Sequence, residues 1–225
     1  FTPATGMWTI AKSGNGYRHG GQTFGQAGDN LVTADYDGDG KADLAVFRPS
    51  NGQWYFLGTT GIYEYHQWGE AGDIPQPGDY DGDGRADFAL FRPSNGTWYI
   101  KTRSDTFQVF QFGIPTDKAH AADYDGDGRT DPGVFRNGTW YTLNSTQGFR
   151  ITNFGQAGDV PVPGDYDGDG AADIAVYRNG TWFKLSATSY TVSNHGGAGD
   201  TPVPADYDGD GKFDLAVFRP SAGQW

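Results

Sequence analysis

The stretch DYDGDGKAD, Asp35 to Asp43, sets four carboxylates within nine residues: Asp35, Asp37, Asp39 and Asp43. Ionised groups about 5 Å apart, at an effective dielectric of about 20, repel by roughly 3 kcal/mol per pair. Four such groups make six pairs. A domain only marginally stable does not carry that repulsion unaided. Either the loop is disordered or a cation sits in it.

The spacing favours the cation. Positions 1, 3 and 5 of the loop are Asp, position 6 is Gly40 where a sharp turn is needed, and position 9 is Asp43. The first six residues resemble the start of an EF-hand loop, in which side chains at 1, 3 and 5 and the carbonyl of 7 ligate calcium. Asp43 can close a loop shorter than the EF-hand. Hard oxygen ligands with no nearby His or Cys point to calcium over zinc or copper. The loop recurs four more times, as Asp79, Asp81, Asp83, Asp87; Asp123, Asp125, Asp127, Asp131; Asp165, Asp167, Asp169, Asp173; and Asp206, Asp208, Asp210, Asp214. Position 7 varies (Lys41, Arg85, Arg129, Ala171, Lys212), as a position lending only its carbonyl can. Asp-Gly turns are common without metal, but five full copies outweigh that reading. About five calcium ions are expected.

Charge agrees with the loops. The chain has 16 basic and 28 acidic residues, net −12, and twenty of the acids lie in the five loops. Five divalent ions would leave about −2. That balance argues against nucleic acid, which needs a basic face.

The loops recur every 41 to 44 residues, a blade-sized period. From Asp73, DIPQPGDY reads as a short extended run and DFALFRPS as an apolar strand. NG is a hairpin signal that demands positive φ. TWYIK is aromatic and β-branched, and FQVFQFG alternates like a solvated strand. Helical periodicity is absent, while 36 glycines and 12 prolines suit many short turns. Four antiparallel strands per period is a propeller blade.

FGQAGD at Phe24–Asp29 and Phe154–Asp159, with the variants WGEAGD from Trp68, FGIPTD from Phe112 and HGGAGD from His195, resembles the FG-GAP signature. With DxDxDGxxD it resembles the FG-GAP/VCBS repeat family of integrin-α-like β-propellers, over essentially the whole chain. The resemblance implies that the Asp loop joins the first two strands of a blade and binds calcium. It also implies adhesion or glycan binding, since similar propellers include integrin heads and lectins. The blades here are shorter than integrin ones, and His195 replaces the usual aromatic.

The chain ends suggest the blade count. FTPATGMW at the start matches FRPSAGQW at the end: Phe1 with Phe218, Pro3 with Pro220, Gly6 with Gly223, Trp8 with Trp225. The 217 residues from Phe1 to Val217 hold five periods of 43.4. The expectation is one all-β domain, 1–225, a five-bladed propeller of four-stranded blades. Its repeats start near 29, 73, 117, 159 and 200, and the last blade is completed by 1–24. Pairing the N-terminal strands (MWTIAKS, GYRHGGQTFG) with the C-terminal ones (TPVPADY, DLAVFRP) would close a monomeric ring and remove open edges. The eight-residue overlap points either to a segment of a longer repeat array or to a deliberately bounded piece.

Trp54, Trp98, Trp140 and Trp182, one per blade, read as core between blades. Arg48, Arg92, Arg136, Arg178 and Arg219 recur beside turns, as do Asp29, Asp73, Asp117, Asp159 and Asp200. One Arg and one Asp per blade read as an ion pair at the blade end away from the metal loops. The five Arg are also the candidate ligand-binding residues there. No GxSxG elbow, HExxH or Cys is present, and the four His share no repeat position, so no catalysis is expected. GIPTDKAHAAD (Gly113–Asp123), with Lys118 and His120, departs most from the repeat. No apolar run is long enough to span a membrane. Loops of middling affinity fill where calcium is millimolar, so an extracellular or bacterial-surface setting is expected. Either a glycan or an extracellular protein is the expected partner. The alternative is an accessory propeller of a larger secreted enzyme.

Overall fold

Each repeat folds as its residue pattern requires. The computed structural model of the chain describes residues 1–12 and 18–225, and among them all regular structure is strand. Backbone proximity divides the chain into two units, Phe1–Pro115 and Thr116–Trp225.

The first unit starts with β1 (Met7–Lys12) paired to β2 (Arg18–Thr23). Two antiparallel four-stranded sheets follow. One is β3 (Asn30–Leu31), β4 (Leu44–Arg48), β5 (Gln53–Leu57) and β6 (Tyr63–Gln67). The other is β7 (Ile74–Pro75), β8 (Phe88–Arg92), β9 (Thr97–Lys101) and β10 (Phe107–Gln111). The second unit has β11 (Lys118–Ala119), β12 (Gly133–Arg136), β13 (Thr139–Asn144) and β14 (Gly148–Asn153) in one sheet. A second sheet holds β15 (Val160–Pro161), β16 (Ile174–Arg178), β17 (Thr181–Leu185) and β18 (Tyr190–Asn194), and β19 (Thr201–Pro202) pairs with β20 (Val217–Phe218).

Burial grades across a blade. The second strand, such as β8, is buried along nearly its whole length, so it reads as a continuous apolar run. The third alternates, Trp98 and Ile100 inward, and the fourth is exposed. In the first unit Val32, Tyr36, Phe47, Trp54 and Phe56 of one blade pack with Phe88 and Leu90 of the next. Val162, Tyr177 and Trp182 meet Val217 in the second unit. All four repeat Trp are 0–1% exposed. Each donates its indole N–H to the carbonyl of the FG-position residue: Trp54 to Trp68 (2.8 Å), Trp98 to Phe112 (2.9 Å), Trp140 to Phe154 (3.1 Å) and Trp182 to His195 (2.9 Å). His195 makes the same bond as the aromatic residues, through its carbonyl, while Trp68 and Phe154 also pack their rings against the core. The bond holds the FG turn against the NG turn so closely that a Cβ on Gly52 would stand 2.1 Å from the Gly69 oxygen.

The hairpin turns come in two kinds. In FRNG both Asn137 and Gly138, and both Asn179 and Gly180, have positive φ, the two-residue hairpin geometry. In FRPSNG only the glycine does, Gly52 at 67° and Gly96 at 67°.

The blade count differs from expectation. Among the described residues four four-stranded blades form, two in each unit, where five were expected. The terminal segments are instead separate two-stranded sheets, β1–β2 and β19–β20. The duplicated FxPxxGxW segment gives the reason. Each copy closes its own turn, through Thr2 with Met7 and through Arg219 with Gln224, with Gly6 at φ 64° and Gly223 at φ 63°. Phe1 packs tilted against Trp8, ring centroids 5.1 Å apart, and Phe218 against Trp225 at 5.3 Å. Two finished turns cannot occupy one place in a blade. Parts of the expected third and fourth strands of the last blade, MWTIAKS and GYRHGGQTFG, fall on residues 13–17, outside the described residues.

Candidate metal sites

Each Asp loop leads into the second strand of its blade and is wound around its first carboxylate. Asp35 Oδ1 accepts the N–H groups of Gly38 (2.7 Å) and Asp39 (3.2 Å), and Oδ2 accepts that of Gly40 (2.7 Å). Asp79, Asp123 and Asp206 repeat the pattern, and Asp165 accepts from Gly168 and Gly170. Gly40, at φ 80°, makes the sharp turn that position 6 demands. The fifth-position Asp accepts the N–H of position 7, from Lys41 (3.0 Å), Arg85 (2.9 Å), Arg129 (2.9 Å), Ala171 (2.9 Å) and Lys212 (2.8 Å). Lys41 also lays its ammonium 3.0 Å from Asp39.

Position 9 is the loop's buried floor. Asp43, Asp87, Asp131 and Asp173 are 0–6% exposed. Asp43 Oδ2 accepts from the Tyr36 N–H (2.8 Å), and Oδ1 accepts from the Thr59 N–H (2.8 Å) in the turn between the third and fourth strands. Burial lifts the carboxyls of Asp87 to about 6, Asp131 to about 7 and Asp173 to about 6, against the bonds from N–H groups and with added repulsion from the other loop carboxylates.

Carboxylate oxygens converge to within 4.8 Å of one another in every loop. The groups are Asp35, Asp37, Asp39; Asp79, Asp81, Asp87; Asp123, Asp125, Asp127; Asp165, Asp167, Asp173; and Asp206, Asp208, Asp210. Three anionic oxygens at that separation form a hard-cation donor set. A sharper sign is that Asp37 Oδ1 and Asp125 Oδ1 are buried with no hydrogen-bond partner. An orphaned buried acceptor costs about 1–3 kcal/mol, more when charged. A divalent ion among those carboxylates would satisfy it, so the residues fit calcium.

The turn between the third and fourth strands was not legible as part of the loop. Thr60 donates its N–H to Asp37 Oδ2 (3.2 Å), Thr146 its N–H to Asp125 Oδ2 (3.0 Å), and Ser104 its hydroxyl to Asp81 Oδ2 (3.2 Å). A Ser or Thr 14–23 residues after the Asp it meets was the available signal. Neighbouring loops are also tied together, since Ala86 donates its N–H to the Asp35 carbonyl (2.7 Å), Ala172 to that of Asp123 (2.6 Å) and Phe213 to that of Asp165 (2.6 Å).

The five Arg stand at the other end of the second strand, five residues or roughly 16 Å from the Asp loop. Each grips the AGD-type Asp with two N–H bonds, Arg92 Nε and Nη2 reaching Asp73 at 2.7 and 2.8 Å. Arg48, Arg136, Arg178 and Arg219 hold Asp29, Asp117, Asp159 and Asp200 alike. Arg48, Arg92, Arg136 and Arg178 also lie 4.3–4.7 Å over the rings of Tyr55, Tyr99, Tyr141 and Phe183. Beside Arg178 a cleft of 380 Å³ opens, lined among others by Asp159, Tyr177, Asn179 and Asp200. In the departing segment, Lys118 bonds the Asp159 carbonyl (2.8 Å) and burial pushes the His120 imidazole down to about 4. A cluster that the repeat pattern does not carry joins the first two blades: Glu64 Oε2 receives His66 (2.9 Å) and Arg103 (3.2 Å).

Antiparallel blades led by Asp loops define an all-β protein of β-propeller arrangement. The FG-GAP-like repeat family model matches residues 35–90 and again 79–131, so this part of the chain carries FG-GAP-like repeats, consistent with the FG-GAP/VCBS repeat propellers. No curated protein sequence matches at a significant level. Among solved structures, an Agrocybe aegerita lectin that recognises non-reducing terminal N-acetylglucosamine is similar, at 20% identity and TM-score 0.59 over 84% of this chain and 60% of that one. Virginiamycin B lyase from Staphylococcus aureus is similar at 6% identity and TM-score 0.59, over 88% and 66%. A streptogramin B lyase is similar at 9% identity and TM-score 0.58, over 89% and 72%. At these identities the likeness is one of fold.

Proposed function

We propose that this chain is a non-catalytic, calcium-stabilised binding module. It works outside the cell or on a bacterial surface and presents the Arg-bearing turns of its blades to a glycan or an extracellular protein. The observation that carries the metal reading is the buried, partnerless oxygen of Asp37 and of Asp125 inside converging carboxylates. Positions 1, 3 and 5 and the carbonyl of position 7 would hold each ion, with position 9 closing the loop from below. Calcium would supply charge neutralisation, and the chain's own N–H groups already hold the loops in shape. With several protein oxygens on it, little room is left for a ligand, so the metal is structural.

Ligand recognition then belongs at the other strand end. The cleft beside Arg178 offers Asn179 and the backbone of the AGD turns, with Arg178 already paired to Asp159. Kinship in fold with a lectin supports a glycan as occupant. Calorimetric titration should count close to five calcium sites, and none at millimolar calcium would overturn the metal reading. A glycan array that includes terminal N-acetylglucosamine, run on wild type and Asn179→Ala, tests the ligand. Binding that Asn179→Ala removes supports the cleft, and binding that it leaves intact overturns it.

A further inference from the structure

We infer that Asn144 is an additional oxygen ligand of the third loop's cation, outside the DxDxDGxxD pattern; this rests on the calcium reading above. Asn144 ends β13, is 6% exposed, and its Oδ1 is buried without a hydrogen-bond partner. In the same blade Asp125 Oδ1 is buried and partnerless too.

Chain geometry brings the two together. The residues after Asn144 are bonded onto the loop: Ser145 N–H to Asp131 Oδ1 (2.7 Å) and Thr146 N–H to Asp125 Oδ2 (3.0 Å). The same bonds in the first blade, Thr59 N–H to Asp43 Oδ1 (2.8 Å) and Thr60 N–H to Asp37 Oδ2 (3.2 Å), make Gly58 the counterpart of Asn144. A Cβ on Gly58 would stand 2.4 Å from Asp37 Oδ2. A side chain at this place therefore projects onto the third-position carboxylate. The other counterparts spend their oxygens locally, Thr102 on Ser104 (2.7 Å) and Ser186 on Ser189 (3.0 Å). Asn144 alone among the four leaves a buried side-chain oxygen unpartnered, in a blade whose third-position carboxylate also has an unpartnered oxygen. One cation satisfies both. A neutral amide oxygen is a hard ligand of the kind calcium accepts, and it adds no repulsion to the three Asp.

Site-resolved calcium titration by amide NMR tests this. The Gly128 N–H, bonded to Asp123 Oδ2 at 2.7 Å, reports on the third loop, and the Gly170 N–H on the fourth. Asn144→Gly installs the residue that the first blade already uses, so the fold accommodates it. It should raise the Gly128 midpoint about tenfold while Gly170 stays put, and Asn144→Asp should restore or lower it. An unchanged Gly128 midpoint in Asn144→Gly, with all loops still titrating, overturns the inference and leaves the calcium reading standing. Equal destabilisation in chelator and in calcium with that midpoint unchanged likewise makes Asn144 a packing residue and overturns it. If no glycine amide responds at millimolar calcium in wild type, the calcium reading fails and this one with it.

Discussion

Arg92 shows how a repeated charge is held. Its guanidinium makes two bonds to Asp73, whose side chain is 0% exposed, and lies 4.3 Å over the Tyr99 ring. Truncation would strand a buried carboxylate, the costly half of breaking such a pair. Arg92→Ala should therefore lose about 2–4 kcal/mol in urea unfolding; a loss below about 0.5 kcal/mol would mean the pair is mere surface decoration. His120 is the second residue with a measurable signature. Its imidazole titrates near 4 in the fold against an ordinary value of 6.5, because burial disfavours the cation. A group lowered in this way contributes stability that is present above pH 6.5 and is lost as pH falls towards 4. Asp87, Asp131 and Asp173, raised to about 6–7, act with the opposite sign in the metal-free protein, their contribution present below about 4 and lost as pH rises through 6–7. Gln76 holds the place of His120 in the preceding blade, each donating its N–H across to the second strand. In chelator, His120→Gln should gain on wild type as pH drops from 7.5 to 5. A difference that does not change with pH would refute the burial argument.

At the scale of elements, much of each blade was legible because each strand carries a distinct pattern. The apolar run DFALFRPS became β8, TWYIK became β9, and the alternating FQVFQFG became β10. Glycine spacing announced the loops, since their φ angles near 80° leave few other choices. What the sequence hid was tertiary. The bonds from the strand-three turn to the Asp loop span 14–23 residues and rest on Ser and Thr, which fill turns for many reasons. The two hairpin types were also merged by reading NG alone. Asn179 has φ 48°, whereas Asn51 does not take positive φ. Asn179→Ala should thus cost about 1 kcal/mol, for a Cβ-bearing residue without an Asn side chain in left-handed geometry. Asn51→Ala should cost less than half that, and equal losses in thermal melts would contradict the distinction.

For the whole molecule, the sequence period was a sound guide to the blade and a poor one to the number of blades. Dividing the chain length by the period treats the two ends as complementary halves, but both ends carry the FxPxxGxW turn and both close it. The two copies share Phe, Pro, Gly and Trp and differ at their other four positions, and the shared residues are the ones that shape the turn. The charge was easier to read, because twenty acids in five loops leave few to explain elsewhere. That concentration sets the last expectation. Without metal, each loop keeps its like charges, and its ninth-position carboxyl sits buried. With calcium at a hundredfold its dissociation constant, each site adds about 2.7 kcal/mol to the folded state. Several such sites rival the whole stability of an ordinary domain. For a chain of this size 1 kcal/mol moves the melting point by about 2–4 °C. Moving the protein from millimolar calcium into chelator should lower its melting temperature by about 10 °C or more. Magnesium at the same concentration should restore little of it, because it demands octahedral geometry and keeps its waters. A melting curve that ignores the chelator would show that the loops stand on their N–H bonds alone, with the carboxylate repulsion screened by solvent.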